Sequence, residues 1–229
     1  NSEQYYIHTF CVRAKNDMNK LFKKFGATQG RKTCTDRKLP KWLKEAPDAV
    51  KQGFLSGFMG GDGSRVAPAI KKGRRTAQIR VDRITSTTHP DNLTANKKFI
   101  EDIAQLFKDL GIEASVSIRG AKQKDRKTIF LTISSSVKNL LKLTETLDYS
   151  YCNEKRRVSA IPIEYLRCKH YKFKGILNTR LQKNMIYEDF KEKYMVDDEK
   201  IAIPIKSIKK LNKEDLVYDF TTDSDNHSF

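Results

Sequence analysis

Long apolar runs, glycine, proline and paired cysteines are all scarce in this 229-residue sequence. No apolar stretch approaches the roughly 18 residues that cross a membrane, and no signal peptide with an apolar centre opens the chain. Eleven glycines and six prolines exclude collagen-like and low-complexity chains. The four cysteines form no C-x-x-C pair and lack the density of a secreted disulfide scaffold. We therefore expect an intracellular protein, in the cytoplasm or nucleus, with reduced thiols, no structural zinc site and no membrane contact.

Positive charge is what the sequence has in excess. Lysine and arginine number 45 against 28 aspartates and glutamates, which gives a formal net charge of +17. An excess of this size favours a polyanionic partner, and nucleic acid is the usual one. Acidic proteins, membrane surfaces and solubility alone are the alternatives. With 38% hydrophobic residues, the chain also has enough apolar side chains to build a large core.

Residues 47 to 150 alternate between helical and strand periodicity. The predicted elements are a helix at 47–61, strands at 65–72 and from 77 until His89-Pro90-Asp91, a helix at 99–110 capped by Gly111, strands at 114–118 and 129–133, and a helix at 137–147. This order predicts an α+β fold, in which a twisted antiparallel sheet carries helices on one face.

Basic residues cluster in the two predicted hairpin loops and at outward positions of the predicted strands. Such an arrangement places cations on one sheet face and at its tips, where they could span phosphates or enter a major groove. Solvated hairpin tips are the alternative interpretation. The predicted contacts to double-stranded DNA are Lys71, Lys72, Arg74, Arg75, Arg80, Arg83, Arg119, Lys122, Lys124, Arg126 and Lys127.

A weak internal repeat links the first part of the chain to a later part. Its matched positions, including Asn16 with Asn139 and Leu43 with Leu166, keep one offset of 123 residues. A duplicated module would explain the match, while chance or a shared strand–helix order is the alternative. On the first interpretation, residues 1–46 are the tail of a first half-module.

Three glycines recur at every fourth position of the predicted helix at 47–61. Gly53, Gly57 and Gly61 therefore share one stripe of the helix surface. Each glycine inside a helix costs roughly 1 kcal/mol relative to alanine, so the stripe predicts close packing against a second helix backbone. Fraying at the helix end would explain Gly61 but not the other two.

Asp62 follows this stripe at the negative end of the helix dipole, where an uncompensated carboxylate is disfavoured. We therefore expect a positive group beside it. If the partner helix is a duplicated or symmetry-related copy, a second acid would lie next to Asp62. Two close carboxylates favour a divalent cation that prefers oxygen ligands, Mg²⁺ above all. A simple Asp-Gly turn is the alternative.

The nine residues from Leu55 to Gly63 resemble the signature motif of the LAGLIDADG homing endonucleases. The resemblance implies an αββαββα half-module over residues 47–175, one of a pseudo-symmetric pair whose sheets saddle the major groove. It implies Mg²⁺-dependent cleavage of both strands of a long DNA target. It assigns catalysis and metal binding to Asp62, metal binding to Gly61, and an accessory catalytic role to Lys155.

Two features depart from the family's pattern. Gly60 stands where the motif has its first acid, and the sequence contains one motif rather than two. One chain then supplies one catalytic acid. Cleavage of both strands would therefore require a homodimer or an upstream half-module.

The C-terminal part of the chain has a second resemblance. Beyond a linker and helix at 176–195, residues 196–229 are similar to the segment near the C-terminus of the intein splicing (HINT) domain. The resemblance implies that His227 assists asparagine cyclisation and that Asp219 supports it. No N-terminal splicing block is present in this sequence, so we do not expect it to splice alone.

These features together predict a site-specific double-stranded DNA endonuclease of the intein-homing type. A DNA-binding module that has lost cleavage, such as a regulator or maturase, is one alternative. An inactive half-enzyme fragment and a purely structural insert in a splicing protein are the others.

Overall fold

The structure, a computed structural model, describes residues 17–28, 30, 33–69, 78–81, 83–120, 125–147, 149, 151–173, 185–197 and 200–202. The helices are α1 (Asp17–Lys24), α2 (Lys41–Lys44), α3 (Asp48–Gly61), α4 (Leu93–Asp109), α5 (Val137–Thr146), α6 (Asn153–Phe173) and α7 (Tyr187–Tyr194). The strands are β1 (Val66–Ala69), β2 (Gln78–Val81), β3 (Ile84–Thr88), β4 (Ala114–Gly120) and β5 (Lys127–Ile133).

The predicted α+β class is confirmed, but the described strands form two antiparallel sheets rather than the single sheet predicted. Strands β1 and β2 pair antiparallel, and β3, β5 and β4 form a three-stranded antiparallel sheet with β5 in the centre. Helix α4 packs on β4 and β5, and its buried residues include Ile103 and Phe107. The helix ends as predicted at Gly111, whose φ of +75° is a conformation that glycine adopts easily.

The second predicted strand proves to be two strands. Ile79 and Val81 are the buried residues of β2, and the next buried position is Ile84, which begins β3. Since Val81 and Ile84 are three residues apart, the alternation of buried and exposed side chains slips by one residue between them. A slip of one residue exchanges the two faces of a strand, so it ends β2 and begins β3.

Helix α6 is an element that the sequence analysis does not predict. Pro162 lies inside it, and proline removes a helical hydrogen bond, so the local pattern disfavours a helix of 21 residues there. The helix nevertheless buries Ile161, Tyr165 and Leu166 in the common core. It packs against α5, β1 and α7. Burial of this apolar face outweighs the cost of the proline.

Helix α7 lies within the segment predicted as a linker and helix. Its Phe190 is fully buried, with its ring centroid 5.3 Å from that of Tyr165. The tyrosine hydroxyl donates to the Met185 carbonyl at 2.9 Å. Helix α7 is therefore part of the same core as the sheet and α6. None of the helices within the described ranges is long and apolar enough to cross a bilayer.

Several sequence predictions fall outside the described residues. Among them are Asn16 of the internal repeat and the two splicing-related residues Asp219 and His227.

Candidate active site and nucleic-acid interface

Asp62 ends helix α3 and is exposed. Its backbone is still helical (φ −79°, ψ −14°), and its N–H donates to the Phe58 carbonyl. The chain then turns at Gly63, where a Cβ atom would lie 2.6 Å from the Met59 Cα. Only glycine fits this close approach. The motif's last glycine therefore lets the chain leave the helix directly after the acid.

Lys155 lies at the same end of α3. Its ammonium group donates to the carbonyls of Met59 at 2.9 Å, Gly60 at 2.8 Å, Gly61 at 3.1 Å and Gly63 at 2.6 Å. The last carbonyls of a helix accept no hydrogen bond within the helix, and they carry the negative end of its dipole. Lys155 is therefore the positive group expected beside Asp62. The structure brings both predicted residues to one helix end, and their catalytic roles stay predictions.

The connection between α5 and α6 holds this end of α3 from one side. The buried Tyr149 donates its hydroxyl to the Ser64 carbonyl at 3.1 Å, and burial raises the pKa of Tyr149 above its ordinary value. A Cβ atom at Gly60 would lie 3.5 Å from Tyr151 and 3.6 Å from Cys152. The segment after the motif is thus fixed by a tyrosine that sequence reasoning missed.

Arg37 is a second residue that sequence reasoning missed. Its Nε donates to the Asn96 Oδ1 at 3.0 Å, and its Nη2 donates to the Ser86 hydroxyl. The guanidinium carbon lies 4.8 Å from the centre of the Phe99 ring. Burial lowers the pKa of Arg37, and the negative charge of Asp62 opposes that shift. Arg37 is therefore a fixed cation whose charge interacts with Asp62.

The predicted glycine stripe lies on an open face of α3. Cβ atoms at Gly53, Gly57 and Gly61 would meet no heavy atom within 4 Å among the residues described. Val50, on the same face, is 44% exposed. The space for a second helix backbone is present, whereas Gly60 faces inward to the α5–α6 connection.

Five of the predicted DNA-contacting residues are described. Arg80, Arg83, Arg119 and Lys127 are exposed, and Arg126 is half-buried. Arg83 and Arg119 flank one aromatic ring, with guanidinium carbons 5.8 and 5.9 Å from the centre of Phe130. The outer face of the three-stranded sheet therefore carries Arg83 and Arg119, whereas Arg80 lies on β2 of the two-stranded sheet. The predicted contacts that lie outside the described residues are Lys71, Lys72, Arg74, Arg75, Lys122 and Lys124.

The donor atoms that the motif offers a metal at Asp62 are oxygens. The described residues contain no group of three or more histidine, cysteine, aspartate or glutamate side chains that could hold a metal ion. The Gly61 carbonyl, a predicted metal ligand, accepts from Lys155. One carboxylate with neighbouring carbonyls suits Mg²⁺ in chemical type, since proteins usually hold this ion with one or two carboxylates, waters and substrate phosphates.

The family model of the LAGLIDADG-like domain matches residues 49–148. These residues form a LAGLIDADG-like domain. The LAGLIDADG-like domain covers α3 through α5, so it includes Asp62 and the outer sheet face, and it confirms the resemblance found in the sequence. Lys155 follows it within a few residues.

Segments similar to this chain occur in proteins whose names describe different activities. The chain is 28% identical over 229 residues to the DNA-directed RNA polymerase subunit Rpo1N of Methanocaldococcus jannaschii, covering 97% of this chain and 16% of that protein. It is 31% identical over 150 residues to the tRNA-splicing ligase RtcB of Methanopyrus kandleri, covering 65% of this chain and 14% of that protein. It is 28% identical over 171 residues to the replication factor C small subunit of M. jannaschii, covering 74% of this chain and 9% of that protein. The chain spans no more than about a sixth of these relatives' length.

Proposed function

We propose that this chain is a half-enzyme of a site-specific DNA endonuclease that hydrolyses phosphodiester bonds in a long duplex target. The observation that carries the proposal is the exposed Asp62 at the end of a helix whose glycine face is open. A second motif helix on that face would bring a second acid beside Asp62. The second helix comes from another copy of this chain or from an upstream half-module.

Mg²⁺ is the cofactor that this site suits. Asp62 and the Gly61 carbonyl would hold it; that carbonyl also accepts from Lys155 and has a second lone pair for a metal. When bound, Mg²⁺ would supply a nucleophilic water and neutralise developing charge. The chain's own cations do the rest: Arg37 is fixed by Asn96 and Ser86, so it can neutralise phosphate charge near Asp62 without first being ordered.

The outer face of the sheet is the proposed DNA-binding surface. Exposed Arg83 and Arg119 lie on the three-stranded sheet, exposed Arg80 lies on β2 of the two-stranded sheet, and the chain's net charge is +17. Contacts from such cations to phosphates release counterions, which makes affinity depend steeply on salt. This property separates a DNA-binding function from a purely structural one.

The relatives support a mobile insertion of the intein type. A polymerase subunit, a tRNA-splicing ligase and a replication factor subunit have unrelated names, yet each contains a segment similar to this chain. An element that moves between genes would have this distribution, and an endonuclease that cuts the uninterrupted gene would promote it. Residues 196–229, with Asp219 and His227, are the proposed part of the splicing domain.

A plasmid assay tests the proposal. The substrate is supercoiled DNA that carries the coding sequences on either side of this element, joined without it. The protein should retard this DNA, with an affinity that falls steeply as salt rises, and should linearise it in Mg²⁺ but not in EDTA. Retardation without cleavage would instead support a binder that has lost nuclease activity. A purely structural insert would neither retard nor cut the DNA.

A further inference from the structure

The outer face of the three-stranded sheet has an unusual composition. Its central row consists of Thr85, Phe130 and Ser117, paired across β3, β5 and β4. The next row consists of Thr87, Thr128 and Arg119. Among the described outward positions of these strands, Phe130 alone is a large apolar side chain, and most of its neighbours carry hydroxyls. A half-buried phenylalanine on a face that does not belong to the core requires an explanation.

Phe130 also orders the cations on this face. Arg83 comes from one side of the central strand and Arg119 from the other, and both guanidinium groups lie within 6 Å of the same ring centre. Arg119 pairs across the sheet with Thr128, two residues before Phe130, while Arg83 precedes β3 on the opposite side. The two arginines therefore approach the ring from opposite corners. Such cation–π contacts limit the orientations of two long side chains.

The chemistry of the major groove matches this arrangement. Serine and threonine hydroxyls bond to any base and discriminate little, whereas phenylalanine favours the 5-methyl group of thymine and arginine favours the O6 and N7 of guanine. A ring at the centre of the sheet is placed to meet one base, with a guanidinium group on each side.

We infer that Phe130 is a specificity-determining residue, which contacts a thymine methyl group in the major groove and holds Arg83 and Arg119 toward guanines on either side. The inference rests on the proposed DNA-binding function. It adds that the centre of the sheet selects thymine. Phe130 then both contacts the base and orients the two arginines.

Selection from a randomised duplex library, followed by thymine-to-uracil substitution in the selected site, tests the inference. For the wild-type chain, uracil at the thymine should weaken binding about fourfold, the factor for one buried methyl group. Phe130→Ala should bind thymine and uracil equally, and its salt dependence should match the wild type because the ring contacts no phosphate. Thr132→Ala, on the same face, is the matched control and should keep the fourfold difference.

Phe130→Leu separates the two roles. Leucine keeps an apolar contact but has no ring, so the variant should keep thymine discrimination and lose part of the guanine preference. Circular dichroism verifies that each variant is folded. A selective wild type that binds uracil and thymine equally, or a Phe130→Ala variant that still discriminates, would overturn the inference but leave the proposed function intact. A wild type that selects no duplex would overturn both.

Discussion

At the level of single residues, Lys155 explains how an acidic side chain can end a helix. Asp62 and four backbone carbonyls bring negative charge to the end of α3, and one ammonium group lies among those carbonyls. An ammonium group has three protons, so four acceptors fully occupy it. Lys155 thus fixes the position from which Asp62 projects.

Replacing Lys155 by methionine should destabilise the fold by about 2 kcal/mol. The change leaves the carbonyls at the end of α3 without their charged donor, while the side chain stays similar in length. Urea denaturation measures the difference. Arg156→Met, at the exposed next position, is the matched control and should change stability little. Equal effects of the two changes would contradict the capping role.

The cysteines should differ sharply in reactivity. Burial raises the pKa of Cys168 to about 11, and Glu164 adds to the shift, whereas Cys34 is exposed. At pH 8, roughly one Cys168 thiol in a thousand is therefore the reactive thiolate. Iodoacetamide labelling followed by peptide mass spectrometry should modify Cys34 well before Cys168. Comparable labelling rates in the folded protein would contradict the described burial.

Residues that bring the site together were only partly predictable. Asp62 and the glycine stripe follow from the local spacing of the motif, and Lys155 follows from the family resemblance. Tyr149 bonds to Ser64, 85 residues away, and Arg37 bonds to Asn96, 59 residues away. No local periodicity indicates such contacts, since they depend on how the elements pack. Site residues that lie within one helix can therefore be predicted from the sequence, whereas side chains that reach the site from distant parts of the chain cannot.

At the level of elements, α3 is attached to α4 by an ion pair at its first half. Lys51, whose side chain is 11% exposed, donates to Asp109 at 2.7 Å. This hydrogen bond lowers the pKa of Asp109, and Gln105 adds to the effect. The pair fixes the helix that carries the motif, at a distance from Asp62.

Acid should loosen this attachment. Because the pKa of Asp109 is lower in the folded state, its contribution to stability is complete above the unfolded value of about 3.9 and is lost as pH falls through the folded value. Asp109→Asn should cost about 1–2 kcal/mol at pH 7 and have less effect at pH 2. Urea denaturation at several pH values measures both. A cost that does not depend on pH would contradict the ion pair.

The predictable elements are those whose local pattern agrees with their packing. Strands β4 and β5 and helices α3, α4 and α5 alternate or repeat with a clear period and lie close to their predicted positions, although α4 begins six residues earlier than predicted, at Leu93. The division of β2 from β3 depends on a slip of one residue between the buried Val81 and the buried Ile84, which a search for regular alternation does not detect. Helix α6 contains Pro162, so its formation depends on burial against neighbouring elements rather than on its own sequence.

At the level of the whole molecule, one LAGLIDADG-like domain presents one motif acid and one open glycine face. A function that requires two acids then requires a second motif helix. A substitution that suits the helix but fills that face should therefore raise the stability of the single chain and weaken its association with a second motif helix.

Gly57→Ala should make the single chain more stable and the assembly weaker. The added methyl group meets open space in one chain, and alanine favours helix by roughly 1 kcal/mol relative to glycine. Against a second helix backbone the same methyl group would collide. Denaturation measures the first effect, and sedimentation with plasmid cleavage measures the second. Ala104→Gly, on α4, is a control that should only destabilise. Unchanged association and cleavage in Gly57→Ala would contradict close packing on this face.

Cleavage by an Asp62→Asn variant tests the central claim most directly. The variant and an Asp48→Asn control, altered at the opposite, exposed end of α3, are compared with the wild type on the same supercoiled plasmid in Mg²⁺. We expect all three proteins to retard the DNA equally. The wild type and Asp48→Asn should cut both strands. An enzyme in which both halves carry Asp62→Asn should cut neither strand. Cutting by Asp62→Asn at the wild-type rate would contradict the assignment of Asp62 to catalysis.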